Sequence, residues 1–168
     1  MKATGGCEAV QSQTGGYSNM GAHIVTVLEA ATNATASAHV KVLSHRGLPS
    51  VGSNDTSEIA AAVALAKQAD VVVAVVGDSG DKGWNMNTCG EDDDRTQLDL
   101  PGVQPELLSA VAAACPGKPL VAVLIHGRPV TFVRGDLLSK LSAVLAAWRP
   151  GEEGGHAIWE LLLGKQSP

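Results

Sequence analysis

Residues 71–102 read VVVAVVGDSGDKGWNMNTCGEDDDRTQLDLPG, and this stretch decides the fold. It begins with five valines and one alanine at 71–76 and continues into a segment rich in polar residues and glycine. An unbroken apolar run with many β-branched side chains predicts a strand that is buried on both faces. Ligand sites in open α/β sheets lie beyond the carboxyl ends of the strands. We therefore expect the functional site in the polar segment after residue 76.

Two more apolar runs predict strands of the same sheet, at Leu120–Ile125 and Ala143–Trp148. Helical patterns are predicted at residues 24–31, 55–68, 105–115, 137–141 and 156–163. The second of these helices begins with a capping box of Asp55 and Glu58, and alternating residues predict a short strand at 39–43. Strands that alternate with helices form parallel β-α-β units. The sequence therefore predicts a three-layer α/β/α sandwich with a mostly parallel, doubly wound sheet.

Composition and charge exclude several classes of function. The 168 residues, 45% of them hydrophobic, predict one domain with a real core. A net charge of -5 gives no basic surface for nucleic acid or an anionic membrane. No apolar run reaches the length of a membrane span, and residues 1–20 lack the apolar core of a signal peptide. The three cysteines are an odd number and show no C-x-x-C spacing, so neither a zinc site nor a disulfide framework is indicated. We expect no metal and no cofactor.

Three loops rich in charge are expected to meet at one edge of the sheet, because the carboxyl ends of parallel strands share an edge. They are residues 78–95, 126–128 and 149–153. This convergence is the strongest indication of a site that the residues themselves give.

Four consecutive acids at 91–94 allow two interpretations. The first is a solvated loop. The second is a cation site or a general acid, because crowding by acids raises the proton affinity of a partly buried neighbour, while Arg95 can hold one carboxylate ionised. A carboxyl that stays protonated near neutral pH can protonate a leaving glycosidic oxygen. Spacing alone leaves both interpretations open.

Other side chains of these loops are candidates for ligand contact. Trp84 lies in a polar loop, where an exposed aromatic ring usually contacts a partner. Trp148, at a strand end, is either a core residue or a platform for a sugar ring. His126 and Arg128 either bind a ligand or form only a turn. Glu153 lies at the start of a helix, where the helix dipole favours an acid.

Two familiar motifs fit poorly. Residues 77–80 read GDSG, as in trypsin-like proteases, but they follow a parallel-type strand and not the strand of a β-barrel. The glycines at 77, 80 and 83 are spaced like a phosphate cradle, yet G-x-x-x-x-G-K-[ST] is absent and six acids in the loop would repel phosphate. Nucleotide binding is therefore a weaker alternative.

Five motifs occur in order along the chain. They are residues 78–79 (DS), 89–95 (CGEDDDR), 98–104 (LDLPGVQ), 127–130 (GRPV) and 147–155 (AWRPGEEGG). Together they closely resemble the C-terminal α/β-sandwich domain of family 3 glycoside hydrolases. Residues 15–18 (GGYS), with the segment at 25–26, resemble the opening of the same domain. The resemblance thus covers nearly the whole chain.

The resemblance implies retaining β-glucosidase or β-xylosidase chemistry on a β-linked oligosaccharide or glycoside. A preceding (β/α)8 barrel then supplies the nucleophilic aspartate, and this domain supplies the acid/base glutamate. In many members the acid/base is the glutamate of a Gly-Glu-Gly-x-Asp-Arg segment, and this glutamate corresponds to Glu91. The Pro-Gly-x-Glu-Gly segment of the plant exo-glucanase branch lands on Glu153, which is the alternative acid/base. The sugar subsite is expected to include Asp78, Trp84, Arg95, Arg128 and Trp148.

The sequence also departs from the family pattern. Asp92 stands where the family has a glycine, and the loop at 80–87 is longer than usual. The barrel and its Ser-Asp-Trp motif are absent, and the chain stops at residue 168. We therefore expect a single domain at 1–168, with an irregular lead-in at 1–22. We expect this domain to be inactive alone. The parent enzyme is expected to be secreted or extracellular. The alternative from another class is a non-catalytic carbohydrate-binding or structural domain.

Overall fold

The computed structural model describes residues 13–18, 23–34, 40–80, 88–90 and 94–168. The helices and strands in these ranges are α1 (Val27–Asn33), α2 (Ile59–Ala66), β1 (Val72–Gly77), α3 (Gln104–Ala114), β2 (Leu120–Ile125), β3 (Ala143–Trp148) and α4 (Gly154–Leu162). Two short 3-10 turns, Arg134–Asp136 and Leu138–Lys140, replace the helix predicted at 137–141. The second and third predicted strands are confirmed at both ends. The first begins one residue late, at Val72, and Val71 is 52% exposed.

The three strands form one parallel sheet in the order β1-β2-β3, as predicted. Val72 pairs with Leu120 at one end of the sheet, and Gly77 pairs with Ile125 at the other. The pairing of β2 with β3 is in register up to Leu124, after which a shift places Ile125 opposite Trp148. We call the edge formed by residues 78–80, 88–90, 126–128 and 149–151 the rim. It lies at the carboxyl ends of all three strands.

Helices cover both faces of the sheet, which confirms the three-layer sandwich. On one face α2 and α3 pack over β1 and β2, and Leu107 and Leu108 of α3 are almost fully buried there. On the other face Val27 of α1 and Ile158 of α4 pack against Val123. In the part of the chain that the structure describes, no helix combines the length and the apolar character that crossing a membrane requires.

The end of β1 is fixed by the side chain of Gln104, the first residue of α3. Its amide oxygen accepts a hydrogen bond from Gly77 N at 2.8 Å, and its amide nitrogen donates to Gly77 O and Val51 O, both at 2.8 Å. Gly77 has a φ of +143°, and a Cβ there would lie 1.9 Å from Ile125 O. Only glycine fits this close approach. The residue after Gly77 is therefore held in a defined position at the rim.

The capping box predicted at the start of α2 is wrong. Asp55 accepts a hydrogen bond from Ser57 N at 2.8 Å, and the helix starts only at Ile59. Glu58 does not reach back to the preceding backbone, because its carboxylate pairs with Arg46 at 2.7 Å. A contact with a residue distant in sequence has replaced the local one.

Other local predictions also need correction. The strand predicted at 39–43 is wrong for the described residues 40–43, which pair with no strand. Helix α1 starts later than predicted because Thr26 caps it, accepting a hydrogen bond from Glu29 N at 3.1 Å. The lead-in contains a buried residue, Gln13, whose amide donates to Val25 O at 3.2 Å and to Gly151 O at 3.0 Å. This part of the lead-in is thus attached to the rim.

Candidate functional site

Asp78 follows β1 directly, and its side chain is fully buried. Its Oδ1 lies 3.2 Å from Arg128 Nη2 and accepts a hydrogen bond from Thr88 Oγ1 at 3.3 Å. Burial raises the pKa of Asp78, while the charge of Arg128 opposes this rise. The described contacts give Asp78 a role in joining loops, while its Oδ2 is buried without a hydrogen-bond partner among the described residues. Contact of Asp78 with a sugar stays a prediction.

Arg128 ties the loop after β2 to the segment at 97–99. Its Nη1 donates to Leu98 O at 3.0 Å and to Pro129 O at 3.1 Å, and its Nη2 donates to Asp99 O at 2.9 Å. Its side chain is only 12% exposed. This network favours the interpretation of residues 127–129 as a structural turn. Sugar contact by Arg128 stays a prediction.

Ser79 and Thr88 are hydrogen-bonded to each other, although eight residues lie between them. Ser79 N donates to Thr88 Oγ1 at 2.9 Å, and Thr88 N donates to Ser79 O at 2.8 Å. Cys89 N also donates to Ser79 O, at 3.3 Å. These bonds fix residues 88–90 at the rim, next to the end of β1.

The remaining predicted residues divide into two groups. Glu91 and Trp84 lie outside the described residues. Arg95 is described and exposed. Glu153, the alternative acid/base, is 74% exposed at the start of α4, where its Oε2 lies 2.8 Å from His156 Nδ1. No group of three or more metal-ligating side chains occurs within the described ranges.

Trp148 is 53% exposed, so its interpretation as a core residue is wrong. Trp148 lies on the same exposed side of β3 as Val144 and Ala146, and its φ is +54°. The ring stacks on His126, with centroids 4.3 Å apart and planes 29° from parallel. Its role as a sugar platform stays a prediction, with a geometry that suits it.

The hydrogen bond of His126 defines its tautomer. Its Nδ1 lies 2.7 Å from Arg128 O, and because a carbonyl only accepts, Nδ1 carries the proton. In the neutral ring Nε2 is then an acceptor. It is buried and has no partner among the described residues.

Arg149 was missed as an individual functional residue. Its Nη2 lies 2.9 Å from the sulfur of Cys89, and its guanidinium lies against the backbone of Gly127. Burial raises the pKa of the Cys89 thiol, and the charge of Arg149 acts in the opposite direction. No local sequence pattern marks this residue, because its neighbours come from distant parts of the chain. Cys115, by contrast, lies in the core as predicted.

Asp99 anchors the turn after Arg128. Its Oδ1 accepts hydrogen bonds from Thr131 Oγ1 at 2.6 Å and from Val133 N at 3.0 Å, and its Oδ2 accepts from Arg134 N at 3.2 Å. The Thr131 hydroxyl, followed by the two backbone N–H groups, lowers the pKa of Asp99. The folded state therefore favours the ionised carboxylate.

We expect Asp99→Asn to cost about 1–2 kcal/mol of unfolding free energy at pH 7. A carboxylate whose pKa is depressed on folding stabilises the protein above its unfolded pKa, near 3.9, and this contribution is lost as the pH falls through the folded pKa. The difference between variant and wild type should therefore shrink below about pH 4. Urea unfolding at pH 7 and at about pH 3.5 measures it, with the exposed Asp70→Asn as the control. An equal loss at both pH values would contradict this assignment.

The chain is similar to known proteins of the family that the motifs indicate. Residues 3–168 match the family model of the glycosyl hydrolase family 3 C-terminal domain. The chain is 44% identical over 107 residues to a periplasmic β-glucosidase of Salmonella typhimurium, covering 64% of this chain and 13% of that protein. It is 34% identical over 154 residues to a β-xylosidase of Formosa agariphila, covering 92% of this chain and 20% of that protein. The chain thus spans 20% or less of the length of these two curated relatives.

Solved structures show the same fold. A family 3 exo-β-xylosidase in complex with a xylobiose aziridine probe aligns over 95% of this chain and 19% of its own, with a TM-score of 0.77 and 25% identity. A β-glucosidase involved in saponin metabolism from intestinal bacteria aligns over 95% of this chain and 26% of its own, with a TM-score of 0.74 and 29% identity. By sequence and by fold, the chain belongs to glycosyl hydrolase family 3, to whose C-terminal domain it corresponds.

Proposed function

We propose that this chain is the C-terminal domain of a retaining β-glycosidase of the β-glucosidase or β-xylosidase class. In this proposal Glu91 is the general acid/base, and the rim forms part of the sugar subsite. The observation that carries the proposal is the position of residues 88–90. They hold the beginning of the family motif CGEDDDR at the carboxyl edge of the sheet, where ligands bind in this class of fold.

The described contacts support this role from both sides of the motif. On one side, Thr88 and Cys89 are bonded to Ser79 O, and Gly90, the residue directly before Glu91, has a φ of +129°. On the other side, Arg128 holds the backbone at 97–99. The motif therefore runs between two fixed points. An acid/base group needs such anchoring because proton transfer depends on hydrogen-bond distance to the leaving oxygen.

A retaining mechanism requires a second carboxylate, about 5 Å from the acid/base, that attacks the sugar. We propose that a (β/α)8 barrel domain supplies this nucleophilic carboxylate. The chain by itself then lacks half of the catalytic pair. The sugar subsite includes Trp84, Arg95 and Trp148. It also includes Asp78 and Arg128, which in addition join the loops of the rim to each other.

The test is an assay of the purified chain, alone and joined to a barrel. We expect no turnover of nitrophenyl β-glucoside or β-xyloside by the chain alone. Fusion to the barrel of a family 3 relative, from which its own C-terminal domain has been removed, should produce turnover that the barrel alone lacks. Turnover by the isolated chain would contradict the proposal, and so would a folded fusion that is no more active than the barrel.

The exposed ring of Trp148 favours a second candidate, a non-catalytic carbohydrate-binding domain. Under this alternative the isolated chain binds oligosaccharides and the fusion stays inactive. Titration of tryptophan fluorescence with xylobiose and cellobiose, in the chain and in Trp148→Ala, separates the two candidates. Binding that depends on Trp148, without activity in the fusion, would favour the alternative.

A further inference from the structure

The end of β3 has an unusual backbone that brings Arg149 over the rim. Trp148 has a φ of +54°, a conformation rarely adopted by a bulky side chain, and its carbonyl accepts a hydrogen bond from His126 N at 3.0 Å. The next side chain, that of Arg149, reaches Cys89 on the far side of the loop after β2. The guanidinium therefore crosses the rim from the third strand to the loop that follows the first.

Three glycines border this guanidinium, and at one of them, Gly127, the missing side chain leaves the space that the guanidinium occupies. A Cβ at Gly127 would lie 2.6 Å from Arg149 Nη2 and 2.9 Å from its Nε, both closer than atoms tolerate. A Cβ at Gly80 would lie 3.5 Å from Nη2, and one at Gly15 would lie 3.9 Å from Nε. Together with Cys89, these glycines place four separate segments of the chain around one cation.

We propose that Arg149 is a positioning residue, whose guanidinium holds residues 88–90 against the loops after β1 and β2. Residues 88–90 directly precede Glu91, so Arg149 would also position the acid/base. This effect on catalysis rests on the proposed function. Arginine suits this task through its planar, rigid fork, which contacts several groups at once, whereas lysine supplies only a flexible point charge. The placement of residues 88–90 can be tested without any catalytic activity.

The first test measures the protection of Cys89 in the full chain. Cys89 is 4% exposed and Cys115 is 6% exposed, so both thiols are slow to react while the fold is intact. In a Cys7→Ser background, Arg149→Met should raise the rate of Cys89 alkylation by iodoacetamide about tenfold, because local opening of the loop outweighs the smaller thiolate fraction that loss of the Arg149 charge causes. The rate at Cys115 should not change. Peptide mass spectrometry reports each thiol separately.

Three variants make this test specific. Arg134→Met removes a guanidinium that contacts Glu106 and Gly102 O, and it should leave the Cys89 rate unchanged. Arg149→Lys should give an intermediate rate. Gly127→Ala should reproduce the effect of Arg149→Met, because the added methyl group displaces the guanidinium without removing it. An unchanged Cys89 rate in both Arg149→Met and Gly127→Ala would overturn the proposal.

The second test uses the barrel fusion and two leaving groups. A phenyl glycoside needs protonation of its leaving oxygen, whereas a dinitrophenyl glycoside hardly does. Misplacement of the acid/base by Arg149→Met should lower kcat about tenfold for the phenyl glycoside and less than about twofold for the dinitrophenyl glycoside. Equal losses on both substrates would indicate a merely structural role. If the proposed function itself fails, Glu91→Gln has no effect on the fusion, and the thiol result still decides the role of Arg149.

Discussion

Replacement of Arg128 by alanine is expected to lower the free energy of unfolding by about 3–5 kcal/mol. The side chain of Asp78 is fully buried, and Arg128 forms an ion pair with it at 3.2 Å. Removal of the guanidinium leaves a buried carboxylate without its ion-pair partner, with only the weaker effect of the Arg149 charge, and also removes the donors to Leu98 O and Asp99 O. Urea unfolding at pH 7, followed by circular dichroism, measures the loss.

Arg46→Ala is the matched control, because Arg46 also pairs with an acid. Its Nη2 lies 2.7 Å from Glu58 Oε1, but its side chain is 45% exposed, so solvent screens the pair and its loss should destabilise the fold far less than the loss of Arg128. The double variant Asp78→Asn/Arg128→Met should recover part of the loss, since it buries no unpaired charge. A loss below about 1 kcal/mol in Arg128→Ala would show that the pair does not hold the rim together.

The loss in Arg128→Ala should also depend on pH. Burial already raises the pKa of Asp78 against the charge of Arg128, and without that charge it should rise further. An acid whose pKa is raised on folding destabilises the folded state when it is ionised, and this penalty disappears as the pH falls below the folded pKa. The difference between Arg128→Ala and wild type should thus be smaller in mildly acidic buffer than at pH 7.

The second large effect is expected for Glu91→Gln in the barrel fusion. General acid catalysis contributes about 10²–10⁴-fold, so kcat for a phenyl β-glycoside should fall by that factor, while a dinitrophenyl glycoside should still form the glycosyl-enzyme. Azide should then restore turnover of the dinitrophenyl substrate and yield the glycosyl azide, because a small anionic nucleophile needs no general base. Chromatography of the products detects it.

Glu153→Gln is the natural control, since Glu153 is the other glutamate that a family motif selects. It is 74% exposed and paired with His156 at the start of α4, and we expect its replacement to change kcat less than about threefold. The reverse result, a large loss with azide rescue in Glu153→Gln and none in Glu91→Gln, would assign the acid/base role to Glu153.

The apolar runs predicted the sheet well because their information is local. A strand buried on both faces needs a continuous apolar segment, and β2 begins and ends where such a segment does. The bounds of β3 also match its apolar segment, although this edge strand is largely exposed. Helix α3 was equally clear, since Pro105 favours a first turn and Pro116 ends the pattern. Parallel pairing then followed from the alternation of strands and helices.

The errors have non-local causes. Glu58 pairs with Arg46 instead of completing a capping box, and the carbonyl of Val25 is an acceptor for Gln13 from the lead-in. The exposure of Trp148 results from the position of β3 at the edge of the sheet, where Val144 and Ala146 are exposed too, and no single segment encodes that position. The same holds for Arg149, whose neighbours are glycines far away in sequence. The family motifs indicated where a site lies, but only the fold shows which side chains support it.

The outer side of β3 has a practical consequence for anyone who prepares this domain by itself. Among the described residues no strand pairs with that side, and the segment AVLAAW at 143–148 contains neither a charge nor a proline that would block an approaching strand. Copies of the chain are therefore expected to associate edge to edge as the solution is concentrated. A lysine in place of Val144, which is 37% exposed, would add a charge where two such edges meet and keep the preparation monomeric.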